Sequence, residues 1–353
     1  MKTIATVDNW VRVMRPLRLD LAGGWSDTPP ICNLVGGCVL NAAVALDGKE
    51  PVIAEVRRIA KKAVLVESRD LGKKGVLTKK SEIYGRIDPH DWCALVKSAL
   101  AVMKYDFSQG GLEIRISADV PKGSGMGTSS ILGSALIEAL ARTLSRSAST
   151  PEKIAALTLE MERVMQTGGG WEDQVGALYP GVKLIETKPG KEQKLKVTRL
   201  SAKAEAAFAR LLRERGVLYF TGQKRMARNV LRGVLDFYKE NPDNLAHEII
   251  AELKKNAKKA FEALEKGKIA TFLTCLNHYW LSKKALDAGS TNPGVETIIA
   301  RIAPWCAAVE LTGAGGGGFL FALATSREAK SRMQRALTRL AGEGRLYSFS
   351  IVV

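Results

Sequence analysis

The sequence predicts an α+β protein of two domains, and three observations lead there. At 353 residues the chain is long for a single hydrophobic core. Its first half is dominated by short runs in which apolar and other residues alternate, the period of a half-buried strand. From about residue 199 the pattern changes to long helical periods, closed by a strand, glycine loop, strand, helix and strand. The expected division is therefore 1–198 and 199–353.

The elements follow in order. Residues 11–21 alternate weakly and read as one strand, which runs into the loop AGGWSDTPP with Asp27 at its centre. Residues 35–45 and 51–67 continue as strands, and His90 to Lys104 reads as a helix. Leu112, Ile114, Ile116, Ala118 and Val120 then mark a half-buried strand. Thr150 and Pro151 supply an N-cap and a first-turn proline for a helix through about Gln166, ended by Gly168, Gly169 and Gly170. GVKLIET follows as a strand. Helical periods cover 201–215, 223–240, 243–266, 268–287 and 294–303, with a short strand at Gly216–Phe220. The ending comprises strands at Ala307–Leu311 and Phe319–Ala324, a helix at Arg327–Ala341 and a strand at Leu346–Val353. His90, His247 and His278 lie outside every motif, on apparent helices, and read as structural; no zinc site is visible.

The stretch Pro121–Leu140, PKGSGMGTSSILGSALIEAL, organises the rest. A strand delivers three glycines (Gly123, Gly125, Gly127), then three hydroxyls (Thr128, Ser129, Ser130), then a helix. Glycines let a backbone approach a ligand closely, and a helix N-terminus aims unpaired N–H groups at an anion. No glycine–lysine pair is followed by Ser or Thr, which excludes a Walker A loop. Thr128 stands where the dinucleotide fingerprint needs its third glycine, which excludes that pattern too. A plain glycine-rich turn into a helix remains the alternative. Farther on, Glu162 lies near the end of one helix and Asp173 follows eleven positions later, beyond the triple glycine. Two carboxylates about a glycine hinge can converge on one metal–phosphate site; otherwise one is a solvated helix residue and the other a turn residue.

Apolar residues make up 46% and charged residues 25%, an ordinary globular balance. No apolar run approaches a membrane span, and the N-terminus shows no signal-peptide core. Five cysteines without a C-x-x-C pair suit a reducing cytoplasm. Fifty-three Lys and Arg against 36 Asp and Glu give a net charge of +17, which suits an anionic partner. The lysines are scattered pairs without interleaved aromatics, so a solvated surface is favoured over nucleic-acid binding.

Three stretches together resemble the galactokinase, homoserine kinase, mevalonate kinase and phosphomevalonate kinase (GHMP kinase) superfamily. They are RLDLAGGWSDTPP at 18–30, PKGSGMGTSS at 121–130 and ELTGAGGGGF at 310–319. Each is weak alone; the three in this order are specific and span the chain. Within the superfamily the wording resembles L-fucokinases, including the kinase part of bifunctional fucokinase/GDP-fucose pyrophosphorylases. GGCVLNAAVALDG, TGGGWEDQ and LDAGSTNPGVE add to that likeness. Heptose 7-phosphate kinases share the first loop and a Q-D-Q-like segment, but usually lack the counterparts of Trp25 and Trp171.

The resemblance implies a two-domain fold, with an N-terminal ribosomal protein S5-like domain and a C-terminal ferredoxin-like domain. It implies an ATP- and Mg²⁺-dependent sugar 1-kinase acting on L-fucose, the alternative being a heptose 7-phosphate 1-kinase or a related sugar 1-kinase. By position, Asp173 and Arg18 are the expected catalytic pair, and Ser129 and Glu162 the expected metal ligands. Pro121, Gly123, Ser124, Gly125, Met126, Gly127, Thr128, Ser129, Ser130 and Asn41 are the expected ATP contacts. Gly24, Trp25, Asp27, Gly170, Trp171, Gly315 and Gly316 are the expected sugar contacts. Thr128 and Ser130 replace the more usual Ser and Ala, while Ser129 keeps the metal position. The presence of Arg18, Ser129, Glu162 and Asp173 together argues against a retired site that only senses a sugar. No nucleic-acid or membrane partner is expected, and the location expected is cytoplasmic. The first motif begins at Arg18, leaving no room ahead of it for a pyrophosphorylase, so a stand-alone kinase or an excised domain is expected. Oligomeric state is not legible.

Overall fold

The computed structural model describes residues 6–7, 9–145, 150–223, 227–240, 245–340 and 342–353. Strands β1 (Thr6–Val7), β2 (Trp10–Arg15) and β3 (Leu17–Ala22) are followed by helix α1 (Ile31–Val35) and β4 (Cys38–Leu46). Next come β5 (Val52–Ile59), β6 (Val64–Ser68), β7 (Lys73–Leu77), α2 (Lys80–Tyr84), α3 (Ala94–Val102) and β8 (Gly111–Ala118). The middle of the chain holds α4 (Thr128–Thr143), α5 (Pro151–Val164), α6 (Glu172–Leu178), β9 (Val182–Glu186) and β10 (Lys196–Arg199). Then follow α7 (Ala202–Arg215), β11 (Gly216–Phe220), α8 (Ala227–Glu240), α9 (Leu245–Glu265), α10 (Ile269–Leu286) and α11 (Pro293–Ile302). The chain closes with β12 (Cys306–Leu311), β13 (Phe319–Ala324), α12 (Arg327–Thr338), β14 (Arg345–Tyr347) and β15 (Phe349–Ile351). Residues 224–226, 241–244 and 341, at the edges of the predicted helices 223–240, 243–266 and 327–341, lie outside the described residues.

The chain divides into two compact units that interleave in sequence. The first comprises Met1–Leu17, Glu50–Val120 and Gly127–Tyr179; the second comprises Arg18–Lys49, Pro121–Met126 and Pro180–Val353. The expected division at 198/199 falls inside the second unit, because β9 pairs with both β4 and β10 there.

In the first unit a six-stranded sheet runs β1-β2-β5-β8-β6-β7. Its pairs are antiparallel except β6 with β8, which are parallel. β8 alternates buried and half-buried residues along most of its length, as the sequence predicts for a sheet covered on one face. Helix α4 lies over β2 and β5. Buried Glu138 of α4 is paired with Arg15 of β2 and Arg142 of its own helix, so the charge is compensated where it is buried. Burial and the charge of Arg142 pull the Arg15 pKa down to about 10, against the opposing pull of Glu50.

The second unit holds two sheets. One runs β10-β9-β4-β15, with β3 also paired to β4. All nine residues of β4 are buried. The other runs β12-β13-β11-β14, every pair antiparallel. With α8–α11 between β11 and β12 and α12 between β13 and β14, this is the β-α-β-β-α-β order of a ferredoxin-like domain. The fold is α+β, as expected.

Three runs read as single strands are in fact pairs. Residues 11–21 break at Pro16 into β2 and β3, which belong to different sheets. Proline cannot donate to a ladder, so the exchange of sheets happens there. Residues 51–67 turn back at 60–63 to form β5 and β6. Residues 346–353 split at Ser348, whose N–H donates to Asp47 Oδ1 at 2.9 Å; β14 stays with β11, while β15 pairs with β4. His90 lies in a turn before α3 instead of on a helix, and His247 stacks on Tyr238 at 4.2 Å between ring centroids. Among the described residues no helix is long and apolar enough to cross a membrane.

Candidate active site

In the first unit the predicted anion loop ends at Gly127, which caps α4 with φ 73° and ψ 17°. That left-handed conformation favours glycine, and a second constraint reinforces it. A Cβ on Gly127 would lie 2.7 Å from Cγ and 2.8 Å from Oδ1 of Asp173. The half-buried Asp173 sits in the first turn of α6, so its carboxyl is held against the start of α4. A second close approach brings in Glu162. Gly133, mid-way along α4, faces the tip of Met161 on α5, where any Cβ would collide with it. Glycine costs an exposed helix about 1 kcal/mol relative to alanine. Here it lets α5 close on α4, and the next residue, Glu162, accepts a hydrogen bond at Oε1 from Ser130 Oγ. Both partners are buried, whereas Ser129 is exposed and Thr128 half-buried. Gly169, in the triple glycine, leaves the space Glu162 fills: a Cβ there would lie 2.8 Å from Oε2. Thus Gly127 with Asp173, and Ser130 and Gly169 with Glu162, are brought together. Gly170 is half-buried, and Trp171 is 2% exposed, its indole N–H without a partner among the described residues.

In the second unit lies the rest of the glycine loop, Pro121–Met126. Gly123 and Gly125 both take φ 73°, and Ser124 and Met126 are not in the left-handed region. The Met126 N–H donates to Ser124 Oγ at 3.3 Å, so the loop also holds itself in shape. The loop is backed by the third glycine stretch. Phe319 N donates to Ser124 O at 2.9 Å, and Thr312 Oγ1 donates to the same oxygen at 3.3 Å. A Cβ on Gly318 would lie 2.5 Å from Ser124 O, and one on Gly125 2.5 Å from Thr312 O. Backbone packed on backbone is the reason for these glycines. In the same stretch Gly316 N donates to Ser290 O (2.5 Å), Gly318 N donates to Gln223 O (3.0 Å), and Asn292 Nδ2 donates to Gly316 O (3.0 Å). The LDAGSTNPGVE segment thereby holds the loop of Gly315 and Gly316 in shape.

Arg18, on β3, donates from Nη1 to Gly125 O at 2.9 Å and to Asp20 Oδ1 at 3.3 Å. Gly24, Trp25 and Asp27 are buried, and Thr28 Oγ1 donates to Asp27 Oδ1 at 3.5 Å. Trp25 takes φ 74°, a costly conformation for a bulky residue. Asn41 is fully buried on β4 opposite Lys183, and its amide has no partner among the described residues.

The sequence reading missed Asp20, Tyr279, Lys283 and Glu310, a buried cluster in the second unit. Burial alone would raise the Asp20 pKa; Lys283, Arg18 and hydrogen bonds from the Gly313 N–H and the Tyr279 hydroxyl hold it below its usual value. Burial and the Asp20 charge push Glu310 well above the ordinary 4.5, against the pull of Lys283 and Arg18. One signal was present: Asp20 stands two residues after Arg18 on a strand, hence on the same face. Nothing marks Lys283 among the other lysines.

Comparison with known proteins identifies the family and the fold. The GHMP kinases N terminal domain matches residues 94–181, and the GHMP kinases C terminal domain matches 260–343. A D-glycero-alpha-D-manno-heptose 7-phosphate kinase of Campylobacter jejuni is 30% identical over 96% of this chain and 96% of its own length. The chain belongs to the GHMP kinases. Another relative, a bifunctional fucokinase/GDP-fucose pyrophosphorylase of Arabidopsis thaliana, is 35% identical over 97% of this chain. The GHMP kinase described here spans about a third (32%) of the length of that protein. Its fold is shared by Lactococcus lactis galactokinase, solved with galactose, at a TM-score of 0.73 and 18% identity over 97% of this chain and 94% of that one.

Proposed function

We propose that this GHMP kinase transfers the γ-phosphoryl group of ATP to the anomeric hydroxyl of L-fucose, giving fucose 1-phosphate and ADP. The observation that carries the kinase reading is at Gly127, whose missing side chain makes room for the Asp173 carboxyl at the head of α4. Phosphoryl transfer needs positioning and charge neutralisation more than covalent help from the protein. In this reading backbone N–H groups of the 121–130 loop, Pro121 having none, bind the nucleotide phosphates, with Asn41 a further nucleotide contact. Asp173 accepts the proton of the sugar hydroxyl as its oxygen bonds to the γ-phosphorus and the bond to the ADP oxygen breaks. An anomeric hydroxyl is more acidic than an ordinary alcohol, so an aspartate can serve. Arg18 counters charge on the transferring group. Trp25, Asp27, Gly170, Trp171, Gly315 and Gly316 are the sugar contacts in this reading.

The donors Ser129 and Glu162 suit Mg²⁺, a hard cation that takes one or two protein oxygens and completes its shell with phosphate and water. The space left by Gly169 for Glu162 Oε2 fits that role, and among the described residues no cluster of three His, Cys, Asp or Glu offers another metal site. When bound, Mg²⁺ neutralises charge on the transferring phosphates.

L-Fucose is favoured by the identity to the fucokinase relative and by both tryptophans, Trp25 and Trp171. A second reading, heptose 7-phosphate, is favoured by the Campylobacter relative, which this chain covers almost completely. ADP release measured with L-fucose, galactose, mannose and heptose 7-phosphate decides between them. Turnover highest on fucose is expected; turnover confined to heptose 7-phosphate overturns the substrate. Asp173→Ala is expected to lose turnover by about 10³-fold with ATP binding kept. Near-normal turnover in that variant would overturn its role.

A further inference from the structure

Asp20 has no place in the reading above, yet it takes donors from three parts of the second unit. On Oδ1 it accepts from Arg18 Nη1 at 3.3 Å and from the Gly313 N–H at 3.0 Å. On Oδ2 it accepts from the Tyr279 hydroxyl at 2.9 Å and from Lys283 Nζ at 3.4 Å. Lys283 is fully buried; it donates also to Leu311 O and lies 3.4 Å from Glu310 Oε2. A buried ionised carboxylate is tolerated only when cations and donors compensate it, and here the compensation comes from groups that carry the glycine stretches. Leu311 and Gly313 both lie in the third stretch, 310–319. Arg18 holds Gly125 O, in the middle of the second.

We propose that Asp20 is a positioning residue for phosphoryl transfer: gripped by Lys283 and Tyr279 of α10, it fixes the Arg18 guanidinium against the 121–126 loop and ties Gly313 to the same point. It is not a catalytic residue; it acts through Arg18. The alternative is a buried ion pair that only stabilises the unit. The two differ in what happens when Arg18 is absent, since groups acting as one device are not additive. This inference rests on Arg18 belonging to the active site.

The test is a double-mutant cycle on the full chain. Asp20→Asn keeps the shape and removes the charge. Its kcat is expected to fall about 10- to 100-fold, with the KM for ATP changed less than about threefold. In an Arg18→Met background the same change is expected to cost less than about twofold. Equal cost in both backgrounds, or no cost in the wild type, overturns the proposal. If Asp20→Asn does not fold, Tyr279→Phe removes one donor without changing charge, and about a three- to tenfold loss confined to the Arg18 background is expected. A loss equal in both backgrounds overturns the proposal there too. Hydrogen exchange at the Gly313 amide gives a readout independent of substrate. Exchange at least about tenfold faster in Asp20→Asn supports the tie, and unchanged exchange overturns it. Should the wild-type chain phosphorylate no sugar, the functional reading fails on that result alone, and Gly313 exchange still decides the tie.

Discussion

Replacing Gly127 by alanine separates two costs that the geometry loads onto one residue. The first is backbone strain: at φ 73° an L-residue is disfavoured by about 1–2 kcal/mol. For a unit of this size that corresponds to a fall in Tm of roughly 2–8 °C. The second is displacement. The new Cβ would lie 2.7 Å from Asp173 Cγ, whereas ordinary contact begins at 3.4 Å. The carboxyl must therefore retreat by about 0.7 Å, and a misplacement of about 1 Å costs on the order of 10²-fold in rate. The expected result is a kcat lowered by about 30- to 100-fold with the fold retained, read by ADP release beside a thermal melt. Gly48→Ala is the control. Gly48 takes φ 74° with nothing within 4 Å of its would-be Cβ, so it carries the strain without the collision. It is expected to lose a similar Tm and no turnover. If Gly127→Ala keeps turnover within about threefold of Gly48→Ala, the placement of Asp173 does not depend on the bare glycine and the argument fails.

Two further predictions concern the other carboxylates. A Cβ on Gly169 would lie 2.8 Å from Glu162 Oε2 with no left-handed φ to strain, so Gly169→Ala is expected to raise the Mg²⁺ needed for half-maximal rate about five- to tenfold with little change in Tm. A Mg²⁺ titration superimposing on wild type would remove Glu162 from the metal site. Glu310 has a folded-state pKa well above the ordinary 4.5, raised by burial and by Asp20. Below that ordinary value the carboxyl is protonated whether folded or unfolded, and its contribution to stability is fully present. As pH rises toward the folded value only the unfolded chain sheds the proton, and wild type loses about 1.4 kcal/mol per pH unit. Glu310→Gln cannot ionise and escapes the loss, so its Tm relative to wild type should climb with pH above 4.5. A Tm difference that stays flat from about pH 5 to 8 would show that Glu310 ionises normally.

By itself the sequence determined the fold class, the strand–glycine–helix order of the anion loop and the family. These rest on local signals: period two in β8, a proline at the first turn of α5, glycines where the backbone must take positive φ. It also placed Glu162 and Asp173 on either side of a glycine hinge. What brings Asp173 to Gly127 and Glu162 to Ser130 is the packing of α4 against α5 and α6, through a bare α-carbon at Gly133 that no local rule interprets. The tertiary structure alone decided that 11–21, 51–67 and 346–353 are each two strands, because alternation tells which face is buried and not which sheet is joined. It alone selected Lys283 from 53 basic residues and set it between Asp20 and Glu310. Burial and partner, the two properties that distinguish that lysine, are made by residues far away in the chain, so they exist only once it has folded.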